Sequence, residues 1–76
     1  MEKLNKTLVH GFKTYYSSDV KTGIDYLRYD LDYSEAKVFF NQARIYGRAN
    51  FEDDDDRQYV LIHNSDGSYT LKKRGY

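Results

Sequence analysis

A single helix is predicted in the middle of the chain, because both of its ends have recognisable signals. Asp32 and Glu35 are spaced as a capping box, in which each side chain accepts a hydrogen bond from the other residue's backbone amide. No proline or glycine interrupts residues 33–46, where apolar residues recur three and four positions apart. Gly47 follows, and a glycine in the left-handed conformation commonly ends a helix. The sequence therefore predicts a helix over residues 33–46.

Two segments before this helix alternate between two faces, which is typical of strands. In residues 8–16, Phe12 and Thr14 fall on one face, and residues 24–31 alternate in the same way. Residues 17–23 between them have the composition of a loop. We therefore predict an antiparallel hairpin formed by residues 8–16 and 24–31.

Two further strands are predicted after the helix, over residues 58–63 and 68–72. They are joined by residues 64–67, whose sequence Asn-Ser-Asp-Gly is a strong turn signal. Residues 48–51 have the pattern of an additional short strand. The predicted order is β-β-α-β-β with this extra strand after the helix. It indicates an α+β fold, in which one helix packs on one face of a small antiparallel sheet of four to five strands.

The length of 76 residues allows one small domain over residues 1–76, with frayed termini at about 1–6 and 73–76. Nine tyrosines and four phenylalanines favour a folded chain over a disordered one. The chain has no cysteine, no signal-peptide pattern and no apolar run of membrane-spanning length. We therefore expect a cytoplasmic protein of the producing or host cell, without a membrane partner.

Neither catalysis nor a cofactor is predicted. His10 and His63 lie on separate predicted strands, and no nucleophile pattern or glycine-rich phosphate loop accompanies them. A calcium loop needs a glycine at its sixth position and a glutamate at its twelfth. Counted from Asp53 in the acidic run, these positions are Gln58 and Asn64. We therefore expect a non-catalytic protein that has no metal site.

The net charge of zero conceals an uneven distribution of the twelve basic and twelve acidic residues. Five acidic residues are consecutive. This acidic run can dock on a basic patch of a partner or imitate a row of phosphates, and the alternative interpretation is a solvated loop. Its members are Glu52, Asp53, Asp54, Asp55 and Asp56.

The nine tyrosines are too many for one small core, so several are expected on the uncovered face of the sheet. Tyrosine is enriched at protein interfaces, where it gives contact area with little loss of entropy. The alternative is that tyrosine simply suits strands and that its hydroxyl reaches water from half-buried positions. Besides the acidic run, the predicted partner-binding residues are Tyr15, Tyr26, Tyr29, Tyr59 and Tyr69.

The chain resembles, in general character, the small proteins with which bacteriophages and mobile elements inhibit host enzymes or defence systems, anti-CRISPR proteins among them. The shared features are small size, the absence of cysteine, proline and tryptophan, and a high content of tyrosine and acidic residues. No motif is shared, so the resemblance assigns no residue a role. It implies inhibition of a host nucleic-acid-handling or defence protein by occlusion, through the tyrosine-rich face and the acidic run.

Two alternative functions use other features of the chain. A self-associating structural subunit would pair the tyrosine-rich face with that of a second copy. A nucleic-acid-binding protein would use basic residues of the helix and of the tail. The second is disfavoured by the acidic run, which repels nucleic acid and attracts a protein with a basic surface. Its candidate residues are Lys37, Arg44, Arg48, Lys72, Lys73 and Arg74.

Overall fold

A five-stranded sheet and helical segments on one side of it form the structure, a computed structural model that describes residues 4–74. The predicted α+β class is confirmed. In chain order the elements are β1 (Asn5–Val9), β2 (Phe12–Tyr16), a 3₁₀ turn (Ser18–Val20), helix α1 (Lys21–Asp25), a π-helical turn (Tyr26–Asp30), helix α2 (Tyr33–Tyr46), β3 (Arg48–Glu52), β4 (Gln58–His63) and β5 (Tyr69–Lys73).

The strands are ordered β1-β2-β5-β4-β3 across the sheet. Three of the four pairings are antiparallel, whereas β2 and β5 run parallel, with Thr14 opposite Tyr69 and Tyr16 opposite Leu71. Parallel neighbours need a long crossover connection. Here the crossover contains both helices and the β3–β4 pair, so the sheet is mixed and not purely antiparallel as expected.

The central helix agrees with its sequence signals. The Asp32 side chain accepts from the Glu35 amide at 2.9 Å, and the Glu35 side chain accepts from the Asp32 amide at 3.0 Å. Gly47 closes α2 with φ +91°, and its amide donates to the Ala43 carbonyl at 2.7 Å. The strand after this helix and the β4–β5 hairpin are also confirmed.

The prediction of one strand over residues 8–16 is wrong, because a two-residue turn divides this segment into β1 and β2. His10 and Gly11 both have positive φ, at 52° and 89°, which is the geometry that matches the twist of a tight hairpin. The His10 ring Nε2 lies 2.9 Å from the Leu27 carbonyl oxygen and 3.1 Å from that of Leu31. The hydrogen bond of the ring to these carbonyls connects the turn to the helical segment, and it stabilises His10 in a conformation with positive φ.

The prediction of a strand over residues 24–31 is also wrong, since α1 and the π-helical turn occupy it. The buried residues of this region are Val20, Gly23, Ile24 and Leu27, whose spacing of three and four is helical. The helical conformation buries this apolar stripe against the sheet. The stabilisation from that burial is greater than the preference of the alternating tyrosines for a strand. The predicted hairpin between residues 8–16 and 24–31 is therefore replaced by the hairpin of β1 and β2.

The core lies between the helical segments and one face of the sheet. Phe12 of β2 stacks on Phe40 of α2 with ring centroids 4.3 Å apart, and Tyr69 of β5 meets Phe40 edge-on at 4.9 Å. A second aromatic group joins Phe51 of β3 to Tyr59 of β4 at 5.4 Å. The opposite face, whose side chains alternate with these, carries neither helix, and we call it the open sheet face.

Frayed termini are predicted at about residues 1–6 and 73–76, and the structure describes only some of these residues. Residues 1–3 and 75–76 lie outside the described residues. β1 begins at Asn5 and β5 ends at Lys73. Fraying stays a prediction.

Candidate functional site

The acidic run does not form a uniform row of solvated charges, because Asp53 turns inward at the end of β3. Only 9% of this residue is exposed. Its carboxylate accepts from the Arg57 side chain at 2.9 Å and from the Tyr59 hydroxyl at 3.0 Å. It also accepts from the backbone amides of Asp55 and Arg57, both at 2.9 Å. Asp53 therefore holds the β3–β4 loop in shape.

Burial and hydrogen bonding act in opposite directions on this carboxyl group. Burial alone would raise the pKa of Asp53, but hydrogen bonds from Arg57, Asp55 and Tyr59 together hold the pKa below its usual value. Burial also raises the pKa of Tyr59, whose protonated hydroxyl donates to Asp53. The Thr22 hydroxyl lies 2.6 Å from the Tyr59 oxygen, which links the loop to α1.

The other four acidic residues point in different directions. Glu52 lies on the open sheet face, because the inward positions of β3 are taken by Ala49 and Phe51. Asp54 and Asp55 follow Asp53 in the exposed loop, and Asp56 ends it with φ +63°.

Asp54 and Asp55 form one wall of a cleft of about 410 Å³ between the β3–β4 loop and the helical segment. The opposite wall comes from α1 and the π-helical turn. Of the seven charged residues that line the whole cleft, five are aspartates. We therefore call it the acidic cleft. Its lining residues are Lys21, Thr22, Asp25, Tyr26, Tyr29, Asp30, Asp53, Asp54, Asp55 and Arg57.

The π-helical turn brings two predicted tyrosines into this cleft. The Leu31 amide donates to the Tyr26 carbonyl at 3.1 Å, which closes the wide turn. Tyr26 is half-buried and stacks on Phe51 with ring centroids 6.1 Å apart. Burial, followed by the nearby carboxylates of Asp54 and Asp30, raises the pKa of Tyr26. Tyr29 is 70% exposed and gives the cleft an aromatic rim.

The cations of the cleft neutralise only some of its carboxylates. Lys21 lies 3.4 Å from Asp25, and Arg57 contacts both Asp53 and Asp55, at 2.9 and 2.7 Å. Asp30 and Asp54 form no ion pair with any residue in the range 4–74. Asp30 and Asp54 are therefore the two carboxylates of the cleft that have no cation partner. With five aspartates and two cations in its lining, the cleft has a net charge of about −3.

Of the five tyrosines that the sequence assigns to a binding face on the uncovered side of the sheet, Tyr15 alone lies on that side. Tyr59 and Tyr69 are only 1% and 4% exposed, so the expectation that they line a surface is wrong. Both point from the sheet toward the helices and fill the core. Tyr15 is half-buried on the open sheet face, away from the acidic cleft. Tyr26 and Tyr29 are the two that join the acidic residues.

The structure does not bring the six candidate nucleic-acid-binding cations onto one surface. Lys37 and Arg44 are exposed on α2, where the Lys37 ammonium lies 5.5 Å from the centroid of the Tyr33 ring. Arg48 and Lys72 lie on the open sheet face. Lys73 ends β5, and the Arg74 guanidinium donates to the Gln58 side chain at 2.5 and 3.1 Å.

Asp25 and Asp30 are cleft residues that sequence reasoning does not predict. The predicted strand over residues 24–31 contains both, and it does not define their distance from the acidic run. The helical spacing of the buried Val20, Ile24 and Leu27 is the signal for a helix here, and neither aspartate belongs to that buried stripe. Arg57 directly after the acidic run was the signal for an internal ion pair.

The two histidines have structural contacts: His10 with the carbonyls after α1, and His63 edge-on to Tyr69 at 5.2 Å. Among residues 4–74, no three His, Asp or Glu side chains are grouped so that they could hold a metal ion. No helix in this range is both long and apolar enough to traverse a membrane. Comparisons with protein-family models, curated proteins and solved structures find no match for the chain.

Proposed function

We propose that the protein is a small non-catalytic binding module whose acidic cleft receives basic side chains of a partner protein. The observation that carries the proposal is that Asp30 and Asp54, both without an ion pair in residues 4–74, lie beside Tyr26 in one cleft. A lysine or arginine entering there meets two uncompensated carboxylates and an aromatic ring. Charge-assisted hydrogen bonds and a cation–π contact then act on the same side chain.

The rim of the cleft supplies contact area of the kind that protein interfaces favour. Tyr29 is largely exposed, and the Arg28 guanidinium lies 5.2 Å from the centroid of its ring. An aromatic side chain with few rotatable bonds loses little entropy on binding. We therefore assign Tyr29 to the apolar part of the interface and Asp30 with Asp54 to its charged part.

The chemistry of the cleft favours a partner whose basic surface otherwise holds nucleic acid. Lysine and arginine that contact phosphates are drawn equally to carboxylates in a fixed cluster. The general resemblance to anti-CRISPR proteins and other phage or mobile-element inhibitors supports the same partner class. The proposed mechanism is occlusion of a host nucleic-acid-handling or defence protein in the cytoplasm.

The proposal is tested by removing the two unpaired charges. Asp30→Asn/Asp54→Asn leaves the shape of the cleft almost unchanged and removes its two carboxylates that have no ion pair. Tagged wild-type protein and variant are used to capture partners from lysate of the cell that hosts the protein, followed by mass spectrometry. A partner retained by the wild type is expected to bind the variant at least about tenfold more weakly, as for other charge-paired contacts.

The matched control is Asp19→Asn/Asp56→Asn, which removes the same charge outside the cleft lining. Asp56 belongs to the same acidic run, so this control separates the cleft from the run as a whole. The control is expected to retain the partner. Equal loss in both double variants, or no loss in either, would contradict the proposal.

The two alternative functions need residues together that lie on different parts of the molecule. The helix-and-tail nucleic-acid site would need Lys37 and Arg48 on one surface, and they lie on α2 and on the open sheet face. Self-association through a tyrosine face would need Tyr59 and Tyr69 at the surface, and both are buried.

A further inference from the structure

The open sheet face is a second charged surface, on the side of the sheet opposite the helices. Its centre is formed by Tyr15, Thr70 and Ile62, which lie on neighbouring strands β2, β5 and β4 and are directly opposite one another in the register. At about 4.8 Å between strands, a row across all five strands is about 19 Å long. This row is as wide as the sheet and has no helix over it.

Basic residues stand on all four sides of this centre. Lys6 is opposite Tyr15 on the edge strand β1, and Arg48 is opposite Ile62 on the other edge strand β3. Lys13 precedes Tyr15 by two residues, and Lys72 follows Thr70 by two residues. Because β2 and β5 are parallel, these two lysines lie on opposite sides of the row.

The four cations are available for an external anion. None of them forms an ion pair with a residue that the structure describes. Lys13 has a nearby carboxylate in Asp66 of the β4–β5 turn, whose pKa it helps to lower. Among the strand residues of this face, Glu52 at the end of β3 is the one carboxylate, and it lies at a corner of the sheet beside Gln58. The acidic cleft is on the helical side, so the sheet itself separates the two charged regions.

From this arrangement we infer that the open sheet face binds single-stranded nucleic acid. Phosphates would contact the surrounding lysines and Arg48, while a base stacks on the exposed part of Tyr15. Single-strand sites on sheets combine these two features, a basic track and an aromatic platform. Beside Tyr15, a depression of about 300 Å³ lined by Lys6, Thr7, Leu8 and Lys13 offers largely apolar space for a second base.

Other occupants fit this face less well. A second copy that met it symmetrically would bring four cations against four cations, which is repulsive. A DNA duplex is read by an element that enters a groove, and a sheet face about 19 Å wide does not fit a major groove that is about 12 Å wide. A single strand can spread its bases and phosphates over the face, so it is the occupant to which charge and shape both point.

The test is fluorescence anisotropy with labelled oligothymidylate and oligouridylate of about 12 nucleotides, the length that one small domain covers. Binding through four cations is expected to give a slope of about −3 in log K against log salt. Lys6→Gln/Lys72→Gln is expected to weaken binding about tenfold at low salt and to reduce the slope to about −1.5. Tyr15→Leu is expected to weaken it about tenfold, whereas Tyr15→Phe retains the ring and the affinity.

The matched control is Lys37→Gln/Arg44→Gln, which makes the same change in net charge on α2. It is expected to leave the slope unchanged. Asp30→Asn/Asp54→Asn is also expected to retain oligonucleotide binding, so failure of the acidic-cleft proposal and failure of this one are distinguishable. Thermal unfolding of each variant by circular dichroism verifies the fold.

Several outcomes would overturn the inference. No binding at low salt would exclude the nucleic-acid ligand. Equal affinity for a duplex of the same length would show that the face does not select a single strand. Loss of binding in Lys37→Gln/Arg44→Gln and not in Lys6→Gln/Lys72→Gln would move the site to α2. Loss of a protein partner in Lys6→Gln/Lys72→Gln, with no oligonucleotide bound by the wild type, would make the face a protein interface.

Discussion

At the scale of single residues, Gly23 shows how closely the helical segment approaches the sheet. A Cβ atom at this position would lie 2.8 Å from Cε1 of Tyr59 and 3.0 Å from Cδ2 of Leu71. Both neighbours are buried, and the Tyr59 ring is fixed by hydrogen bonds of its hydroxyl to Asp53 and Thr22. The Tyr59 ring therefore has little freedom to move away from an added methyl group at residue 23.

Gly23→Ala is expected to destabilise the protein although alanine is the better helix former. Alanine in place of glycine favours a helix by about 1 kcal/mol, whereas overpacking a rigid core costs about 1–3 kcal/mol. We expect a net loss of about 1 kcal/mol, or a decrease in melting temperature of about 4–8 °C for a domain of this size. Thermal unfolding by circular dichroism measures it. An increase in melting temperature would show that Tyr59 and Leu71 can move aside.

At the scale of elements, local signals were sufficient where the decisive contacts are local. The capping box of Asp32 and Glu35 and the turn at residues 64–67 each act within a few residues, so α2 and the β4–β5 hairpin could be predicted. The turn at His10 depends on carbonyls 17 and 21 residues away, and α1 depends on packing against β4 and β5. These contacts between distant parts of the chain have no local pattern.

The β3–β4 loop is an element whose stability is expected to depend on pH through Asp53. Because the folded protein holds the pKa of Asp53 below its usual value, its stabilising contribution is present above about pH 4 and is lost as the pH falls through the folded pKa. Asp53→Asn is expected to cost about 2 kcal/mol at pH 7, since charge-assisted bonds are replaced by weaker ones. Urea unfolding from pH 7 to pH 2 measures both effects.

Asp53→Asn is expected to lose less stability than the wild type as the pH falls below about 4. It lacks one of the carboxylates whose protonation destabilises the folded protein. Part of the decrease will remain, since hydrogen bonds also lower the pKa of Asp32 and Asp66. Asp56→Asn removes a charge from the same loop and serves as the control. Parallel pH profiles for wild type and Asp53→Asn would contradict the assigned role of Asp53.

At the scale of the whole molecule, the charge map was only partly predictable. The acidic run was visible in the sequence, but its division between Asp53 inside and Asp54 outside depends on the position of Tyr59. For the open sheet face, the sequence indicates that Lys13 and Tyr15 share one face of a strand, because they are two residues apart. Its other members come from strands whose parallel pairing is a property of the whole chain, so spacing alone could not assemble them.

The separation of charge in a neutral molecule predicts how copies of the protein meet. The acidic cleft and the basic open sheet face are complementary and lie on different sides of the sheet. Contacts between them are heterologous, so they join copies head to tail, as an open chain or a ring, and not as a symmetric dimer. Near the isoelectric point of about 6.7, repulsion by net charge is also absent. We therefore expect association at low salt that grows with concentration and disappears at about 0.15 M salt.

Analytical ultracentrifugation of two variants tests this arrangement. Asp30→Asn/Asp54→Asn loses the two unpaired charges of the cleft and Lys6→Gln/Lys72→Gln loses two charges of the sheet face, so each alone is expected to stay monomeric at low salt. Mixed together, they still offer one intact cleft and one intact sheet face. The mixture is therefore expected to form a one-to-one complex that cannot grow further. A wild-type dimer that persists at high salt would instead favour a symmetric apolar contact, and it would contradict assembly through opposite charges.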